Sequence, residues 1–274
     1  MKNKIKVLGI ILLAGFSFFY TDKVTSIIKD NDPIMKRINE SKKDIYVSKI
    51  DSIVINDEYI TGLNGCIVDE ENSYNKMKNV GEFKEELLVM KEDEIKEYDD
   101  KYIIGGNEEK RKVSIILLNN YPELNNYLKS NKVKINYFFD GEYIKDNLDS
   151  LIDLSKYSKI YNYGRNNSYS SKYIVYDNSV ISLNFNNESI YCLFNEKQDK
   201  ELKLCKSYNM KSIKGDFIKE NILSYTKENL ENGKIFIYDI DNTIDIKMSI
   251  KYILSKGYEI VYLDNLLDSK NNCN

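Results

Sequence analysis

The chain has 274 residues, enough for one main domain and a smaller appendage, and its 42% hydrophobic content suffices for a sizeable core. Its 40 basic and 43 acidic residues are interspersed and give a formal net charge of -3, which leaves no basic face for a nucleic-acid partner. The absence of histidine excludes Ser-His and Cys-His pairs and histidine-ligated zinc, so any general base must be another residue type.

The N-terminus combines a basic leader with a short apolar segment. Lys2, Lys4 and Lys6 precede an apolar run from Val7 to Tyr20. This arrangement matches the first two regions of a signal peptide, but no typical cleavage site follows it. We therefore predict that residues 1-22 form an uncleaved signal anchor, with a cleaved signal peptide as the alternative. In either case the rest of the chain is exported, to the outer face of the cell membrane or into the medium.

Two segments separate this leader from the main domain. Residues 23-49 are polar and charged and predict a stalk. Residues 50-109 predict a small α/β appendage, with strands at Ser52–Ile55, Tyr59–Ile60 and Leu87–Met90 and a short helix at Ser73–Met77. Its sequence assigns no function to it.

The segment Lys112–Gly141 sets the pattern for the main domain. An apolar run, Val113–Leu118, stops at the turn signal Asn119–Pro122 and is followed by helix-forming residues to Lys129. A second apolar run, Val133–Phe139, ends at Asp140–Gly141. This strand, loop, helix and strand order is typical of a parallel sheet or barrel, in which the loop after each strand carries the chemistry.

The same rhythm continues to the end of the chain. Further strands are predicted at 159–161, 174–176, 180–183, 189–192, 210–213, 234–238 and 259–262, and helices at 144–154, 199–208, 219–230 and 246–256. Repeated strand-then-helix order predicts a barrel or a doubly wound sheet for residues 110-270.

The four cysteines, Cys66, Cys192, Cys205 and Cys273, contain no C-x-x-C pair and no zinc-ribbon spacing. Cys192 and Cys205 could form a disulfide in an oxidising compartment, and buried free thiols are the alternative. Cys192 is not expected to be a nucleophile because no histidine can activate it.

From Lys112 to Leu267, a little over half of the chain, the order of motifs resembles the polysaccharide deacetylase family, also called carbohydrate esterase family four. The framework glycines and the ending Ser255–Leu267 are the most specific matches. The family motifs T-F-D-D-G-P, A-T-F-F-x-x-G, I-G-N-H-G-Y-S-H, R-P-P-Y-G and G-x-I-I-L-L-H correspond in position to Leu117–Pro122, Asn136–Gly141, Ile160–Asn167, Tyr191–Asn195 and Gly233–Asp239.

The resemblance implies a distorted (β/α) barrel that acts on N-acetylated glycans such as peptidoglycan. It places the family's catalytic base at Asn119 and its acid at Asp239, and the arginine of the third motif at Tyr191. The metal-binding aspartate falls at Asn120, and the two metal-binding histidines fall at Tyr163 and Asn167. Amides and a phenol are poor zinc ligands, and an amide cannot accept a proton, so we predict no metal and no other cofactor.

Two function classes follow. The first is a cell-surface pseudoenzyme that binds cell-wall glycan, or a protein partner, through Asn119, Asn120, Tyr163, Asn167, Tyr191 and Asp239 without catalysis. The second is an active deacetylase with an atypical site. A structural envelope protein with a vestigial groove is a third reading. At residue level, Asn119–Asn120 could instead form a turn that needs left-handed backbone, and Asp239 could cap a helix. Tyr163 and Asn167 could belong to a polar loop, and Tyr191 and Cys192 could pack in the core at a strand end.

Overall fold

The computed structural model describes residues 15–17, 20, 23–24, 27–185, 187–271 and 273. These residues group into two compact units. The smaller unit contains the described residues within Met1–Lys49, Asn64–Glu94 and Asn271–Asn274, and the larger unit contains Ile50–Leu63 and Ile95–Lys270.

The named strands are β1 (Ile53–Ile55), β2 (Glu58–Ile60), β3 (Gly65–Val68), β4 (Met90–Asp93), β5 (Tyr102–Gly105), β6 (Lys112–Leu117), β7 (Asn136–Phe139), β8 (Lys159–Asn162), β9 (Tyr191–Phe194), β10 (Lys211–Lys214), β11 (Phe217–Ile218), β12 (Ile235–Tyr238) and β13 (Glu259–Ile260). The named helices are α1 (Pro33–Ser41), α2 (Glu70–Val80), α3 (Pro122–Ser130), α4 (Gly141–Asp146), α5 (Leu148–Ser155), α6 (Ile174–Asn184), α7 (Asp199–Ser207), α8 (Ile222–Asn229), α9 (Thr243–Ser255) and α10 (Leu263–Leu266). A short 3-10 helix covers Glu85–Leu87.

The smaller unit packs α1 and α2 together beside the antiparallel pair β3–β4. Helix α1 starts after Asp32, whose carboxylate accepts from the Ile34 N–H at 2.8 Å. It buries Met35 and Ile38 in a cluster with Tyr74 and Met77. The segment predicted as a stalk therefore contributes a packed helix, because its apolar residues recur at helical spacing. The strand predicted at 87–90 lies further along the chain, at β4.

The larger unit is built on two mainly parallel sheets. One has the order β11–β12–β6–β7–β8, with β13 also paired to β6, and the other has the order β1–β2–β5–β10–β9. Among the described strands of these two sheets, β1 and β2 form the antiparallel pair, and the other pairs are parallel. Strand β10 belongs to one sheet, and β11, two residues later, belongs to the other, so residues 211–218 connect the sheets.

The predicted boundary of the appendage differs from these units. Residues 50–63 and 95–109 group with the larger unit because β2 pairs with β5 and β5 pairs with β10. Pairing between strands so far apart in the chain has no local sequence signal.

The strands of both sheets enclose one apolar core. Ile116, Phe138 and Tyr161 from the first sheet meet Leu193 and Ile213 from the second. The alternate residues of the first sheet face a second core under the helices. Among the described strands, β8 and β9 are not joined by a ladder of backbone hydrogen bonds. Side chains connect this part of the barrel instead; for example, the Asn162 N–H donates to Ser189 Oγ at 2.9 Å. The predicted mixed α/β fold is confirmed, in the form of an incomplete barrel.

One segment that the sequence predicts as strands is a helix in the structure. Residues 174–176 and 180–183 were expected to be strands because they are rich in β-branched and aromatic side chains, but they form helix α6. Ile174, Asp177 and Ile181 are its buried residues, and their spacing is helical. Burial against the barrel therefore outweighs local propensity here.

The predicted membrane segment, residues 7–20, lies largely outside the described residues. Within the residues that are described, no helix combines the length and the apolar character that a membrane crossing requires.

Candidate functional site

A cleft of about 490 Å³ opens where the parallel strands of the larger unit end. The carboxyl ends of β6, β7, β8, β9, β11 and β12 all lead into it, because parallel strands terminate at the same edge. The structure brings most of the predicted site residues together here. Those that line the cleft are Asn119, Asn120, Tyr163, Asn167 and Asp239.

The loop after β6 carries the two asparagines. Asn120 Oδ1 accepts from Asn125 Nδ2 at 3.1 Å, and Asn125 Oδ1 accepts from the Tyr137 hydroxyl at 3.1 Å. This chain of hydrogen bonds fixes Asn120 against helix α3 and the strand β7. Asn119 and Asn120 are not among the described residues with positive φ, so left-handed backbone does not account for them. Asn119 is exposed at the cleft.

The loop after β8 carries Tyr163 and Asn167 and is tightly folded. Gly164 has φ +75, and a Cβ there would lie 2.3 Å from the Ser168 carbonyl oxygen, so only glycine fits. Asn166 and Asn167 have φ of 50 and 59, a left-handed conformation that asparagine tolerates.

Three groups outside this loop hold it in place. The Asn166 N–H donates to Asp140 Oδ2 at 2.7 Å. Glu201 on helix α7 accepts from Ser168 Oγ at 2.8 Å and from the Tyr169 N–H at 3.0 Å. The third group is the buried carboxylate of Asp177 on α6, which forms an ion pair with Arg165 of the loop. A disulfide between Cys192 and Cys205 links β9 to α7, the helix that carries Glu201.

Tyr163 is a neutral phenol in this setting. Burial raises its pKa to about 12, and the carboxylates of Asp239 and Glu201 act in the same direction. Its ring lies 6.0 Å from that of Phe217, so the two rings form an aromatic wall of the cleft.

Asp239 follows β12 directly and presents the predicted carboxylate to the cleft. Its Oδ2 lies 3.7 Å from Lys219 Nζ, and the two side chains are 30% and 70% exposed. An ion pair of that length and exposure contributes little. Asn242 caps helix α9, so the helix-capping role considered for Asp239 is taken by another residue.

The donor set does not fit the zinc ion that the resemblance implies. The positions that would ligate it are two amides and a phenol whose pKa is raised, and zinc prefers thiolate, imidazole and carboxylate. The side-chain oxygen of one of those amides, Asn120, is engaged by Asn125. Across the described ranges, no group of three or more His, Cys, Asp or Glu residues is placed to hold a metal.

Comparison with known proteins gives the fold. No protein-family model matches the sequence, and no curated protein sequence matches it. Among solved structures, wild-type BA3943, a CE4 family pseudoenzyme from Bacillus anthracis, is 19% identical, with a TM-score of 0.60 over 88% of this chain and 97% of that one. The chain has the CE4 carbohydrate esterase fold. This confirms the fold that the resemblance implied.

Two further CE4 structures match a smaller part of the chain. The Bc1960 peptidoglycan N-acetylglucosamine deacetylase is 14% identical, with a TM-score of 0.53 over 62% of this chain and 95% of that one. PdaA of Bacillus subtilis, a family 4 carbohydrate esterase, is 16% identical, with a TM-score of 0.50 over 60% of this chain and 84% of that one.

Tyr191 is the predicted site residue that the structure places elsewhere. It is 3% exposed and packs edge-on against Tyr161, with ring centroids 5.5 Å apart, inside the barrel core. Burial and the Asp264 carboxylate raise its pKa. The reason is strand alternation, since Tyr191 and Leu193 of β9 face the core. Tyr191 does not line the cleft.

Several lining residues were not predicted from the sequence. Asn195, Glu196 and Gln198 follow the end of β9, and Lys219 follows the end of β11. The signal was present, because each lies within four residues of the end of a strand of the parallel set. Asp140, which caps helix α4, and the aromatic Tyr143 also line the cleft.

Proposed function

We propose that this chain is a degenerate member of the polysaccharide deacetylase family that binds an N-acetylated cell-wall glycan in the cleft without hydrolysing it. The observation that carries the proposal is the lining of the cleft. It lies at the strand ends of a CE4 fold, and its central positions hold the amides Asn119, Asn120 and Asn167 and the phenol of Tyr163.

The lining lacks the groups that hydrolysis needs. Asn119 stands where the family's base would be, and an amide cannot take a proton from water. A positioned base is worth about 10²–10⁴-fold in rate, and a metal several kcal/mol more. Asp239, like Asp140 and Glu196, is a carboxylate of the lining that could exchange a proton, but the lining has no base at the Asn119 position and no donor set for a metal that would activate water.

The same lining suits a sugar. Amide groups both donate and accept hydrogen bonds, as hydroxyl and acetamido groups do. Tyr143, Tyr163 and Phe217 provide ring faces and edges for the apolar faces of pyranose rings. A volume of about 490 Å³ lies within the usual range for ligand sites, about 300–1,000 Å³.

Export of the protein is part of this proposal. The basic leader and the apolar run at residues 7–20 support it. The cysteine pairs support it as well, because Cys66 pairs with Cys273 and Cys192 with Cys205, and disulfides persist in oxidising compartments. We place the protein on the outer face of the cell membrane, or in the medium if the leader is cleaved.

Calorimetric titration of the full chain with tetra-N-acetylchitotetraose and with peptidoglycan fragments tests binding, and acetate release with and without zinc tests turnover. We expect binding without acetate release. Asn120→Ala and Tyr163→Ala should weaken binding, and Asn131→Ala, an exposed substitution at the end of α3, should not. If neither the tetramer nor the peptidoglycan fragments bind, the proposal is rejected.

A restoration variant tests the assignment of positions. Asn119→Asp, Asn120→Asp, Tyr163→His and Asn167→His together should create a zinc site and acetate release. One solved mutant of the BA3943 pseudoenzyme is described as having restored enzymatic activity. Stoichiometric zinc and steady acetate release from the unaltered chain would instead establish the alternative, an active deacetylase with an atypical site.

A further inference from the structure

The charge of the cleft is unbalanced. The charged side chains that line it are the carboxylates of Asp140, Glu196 and Asp239 and the ammonium of Lys219. Asn119 and Asn120, where the family's motif has aspartates, add no charge, and the donor set does not fit a metal cation that could offset the carboxylates. The cleft therefore carries a net negative charge at neutral pH.

The nearby cations do not neutralise it. Lys219 is 70% exposed and lies 3.7 Å from one oxygen of Asp239, so water screens the pair. Arg165, in the loop that carries Tyr163, is bound by the buried carboxylate of Asp177, with Nη2 to Oδ1 at 2.7 Å. The carboxylate of Asp177 neutralises the charge of Arg165, so Arg165 adds little positive potential to the cleft.

Carboxylates near Tyr163 also make the potential in the cleft negative. The pKa of Tyr163 at the base of the cleft is raised by burial first, and then by Asp239 and Glu201. Glu201 lies behind the loop, where it accepts two hydrogen bonds from Ser168 and Tyr169. Burial at Tyr163 disfavours any new charge, but the carboxylates of Asp239 and Glu201 oppose a negative charge and attract a positive one.

We infer that the cleft selects a saccharide bearing free ammonium groups, that is, the de-N-acetylated form of an N-acetylglucosamine chain, over the fully acetylated form. The inference rests on the proposed glycan-binding function and narrows its ligand, from N-acetylated cell-wall glycans in general to those chains that have lost N-acetyl groups. An N-acetyl group is neutral, whereas the free amine of glucosamine is protonated in mildly acidic solution. Such a ligand arises by N-deacetylation, so the protein would bind the product of the reaction that its own cleft does not support.

Paired titrations test this selection. The full chain is titrated with chitosan tetramer and with tetra-N-acetylchitotetraose at mildly acidic pH, in low salt and in high salt. A charge-charge interaction in a partly screened cleft should favour the chitosan tetramer by about tenfold in low salt, and less in high salt. The preference should also decline as the pH rises through the pKa of the sugar amine, because the ligand loses its charge.

Variants identify the groups responsible. Asp239→Asn with Glu196→Gln should bring the ratio of the two affinities close to one, and Lys219→Ala should increase it. Asp149→Asn with Glu228→Gln removes two exposed carboxylates that do not line the cleft and should leave the ratio unchanged.

The outcomes separate this inference from the proposed function. Equal affinity for both tetramers would overturn the inference and leave glycan binding intact. Failure to bind either tetramer would reject both. A simple diamine that displaces the chitosan tetramer at equal concentration would also overturn the inference, because the cleft would then attract cations without recognising the sugar.

Discussion

Arg165, in the loop that carries Tyr163 and Asn167, forms a bidentate ion pair with Asp177 of helix α6. Arg165 Nη2 lies 2.7 Å from Asp177 Oδ1, and its Nε lies 3.1 Å from Oδ2. The Asp177 side chain is 2% exposed and that of Arg165 is 15% exposed. The guanidinium also lies over the Tyr173 ring, 4.0 Å from its centroid. The pair therefore connects the geometry of the cleft to helix α6.

Removal of the carboxylate should be costly. Asp177→Ala leaves the Arg165 guanidinium largely buried, with only the more exposed Glu142 carboxylate 3.5 Å away. Breaking a buried pair by removing one partner costs about 3 kcal/mol or more. We expect the free energy of unfolding, measured by urea denaturation, to fall by about that amount, and glycan affinity to fall with it.

An exposed pair provides the matched control. Asp153→Ala removes the partner of Lys156 on the surface, where the side chains are 75% and 68% exposed. Its cost should be far smaller than that of Asp177→Ala, because exposed ion pairs contribute little to stability. Equal costs for the two substitutions would mean that the Arg165–Asp177 pair is not important for stability.

Gly141 is predicted to be coupled to the same carboxylate. A Cβ at this position would lie 2.3 Å from Asp177 Oδ2 and 2.6 Å from its Cγ. Gly141→Ala should cost about 1–3 kcal/mol through overpacking, although alanine is otherwise the better helix residue. In the Asp177→Ala background the added cost should nearly vanish, because the clashing atoms are gone. A double-mutant cycle measures this coupling, and additive costs would contradict it.

Gly215→Ala is the comparison substitution for this cycle. Its nearest neighbour would be Ile237 Cδ1 at 2.8 Å, the end of a flexible side chain. It should be tolerated better than Gly141→Ala and should show no coupling to Asp177.

The strand ends of the barrel could be predicted from sequence because they depend on local patterns. Apolar runs that stop at polar or turn residues placed Asn119 and Asp239 at strand ends, and the family resemblance placed Tyr163. The structure brings all three to one cleft. For Tyr191 the sequence left a site role and core packing both open, since a residue that starts a strand and one that ends it look alike when motifs are compared. Only the register of β9 with β10 puts Tyr191 inside the core.

Long-range contacts account for the rest. Residues 174–183 have strand propensity, and their helix exists because Ile174, Asp177 and Ile181 are buried together. The Arg165–Asp177 partnership and the grouping of residues 50–63 with the larger unit likewise join segments that have no common sequence signal.

The disulfides should differ in how fast they react. Cys192 and Cys205 are both 0% exposed, whereas Cys273 is partly exposed. Mild reductant on the native protein should reduce Cys66–Cys273 first, as read by differential alkylation and mass spectrometry. In concentrated urea both should react. Faster labelling of Cys192 and Cys205 in the native state would show that helix α7 opens readily.

Loss of the buried disulfide should also lower stability. Cys192 and Cys205 are 13 residues apart, and a crosslink over such a loop contributes about 3 kcal/mol through the unfolded state. Cys192→Ala with Cys205→Ala should therefore lower the free energy of unfolding by about that amount. Glycan affinity should fall as well, because α7 carries the Glu201 that holds the Tyr163 loop.

The raised pKa of Tyr163 predicts how stability depends on alkaline pH. Its pKa is about 12 in the folded chain, while an unfolded tyrosine titrates near 10. A raised folded pKa means that the native state holds its proton more tightly, so this contribution is complete below about pH 10 and is lost as the pH rises through 12. Burial raises the pKa of Tyr137, Tyr161, Tyr169 and Tyr238 in the same direction, and they steepen the decline.

The substitution Tyr163→Phe measures how much Tyr163 contributes to this loss of stability at alkaline pH. A full proton corresponds to about 1.4 kcal/mol per pH unit, and solvent screening at the cleft narrows the pH range over which the folded and unfolded states differ by that proton. We therefore expect the free energy of unfolding, measured in urea between pH 10 and 12, to fall less steeply in Tyr163→Phe than in the unaltered chain. Tyr176→Phe changes an exposed tyrosine on α6 and should leave the slope unchanged. Identical slopes for all three proteins would show that the carboxylates and burial around Tyr163 do not hold its proton, and the negative potential inferred for the cleft would lose that support.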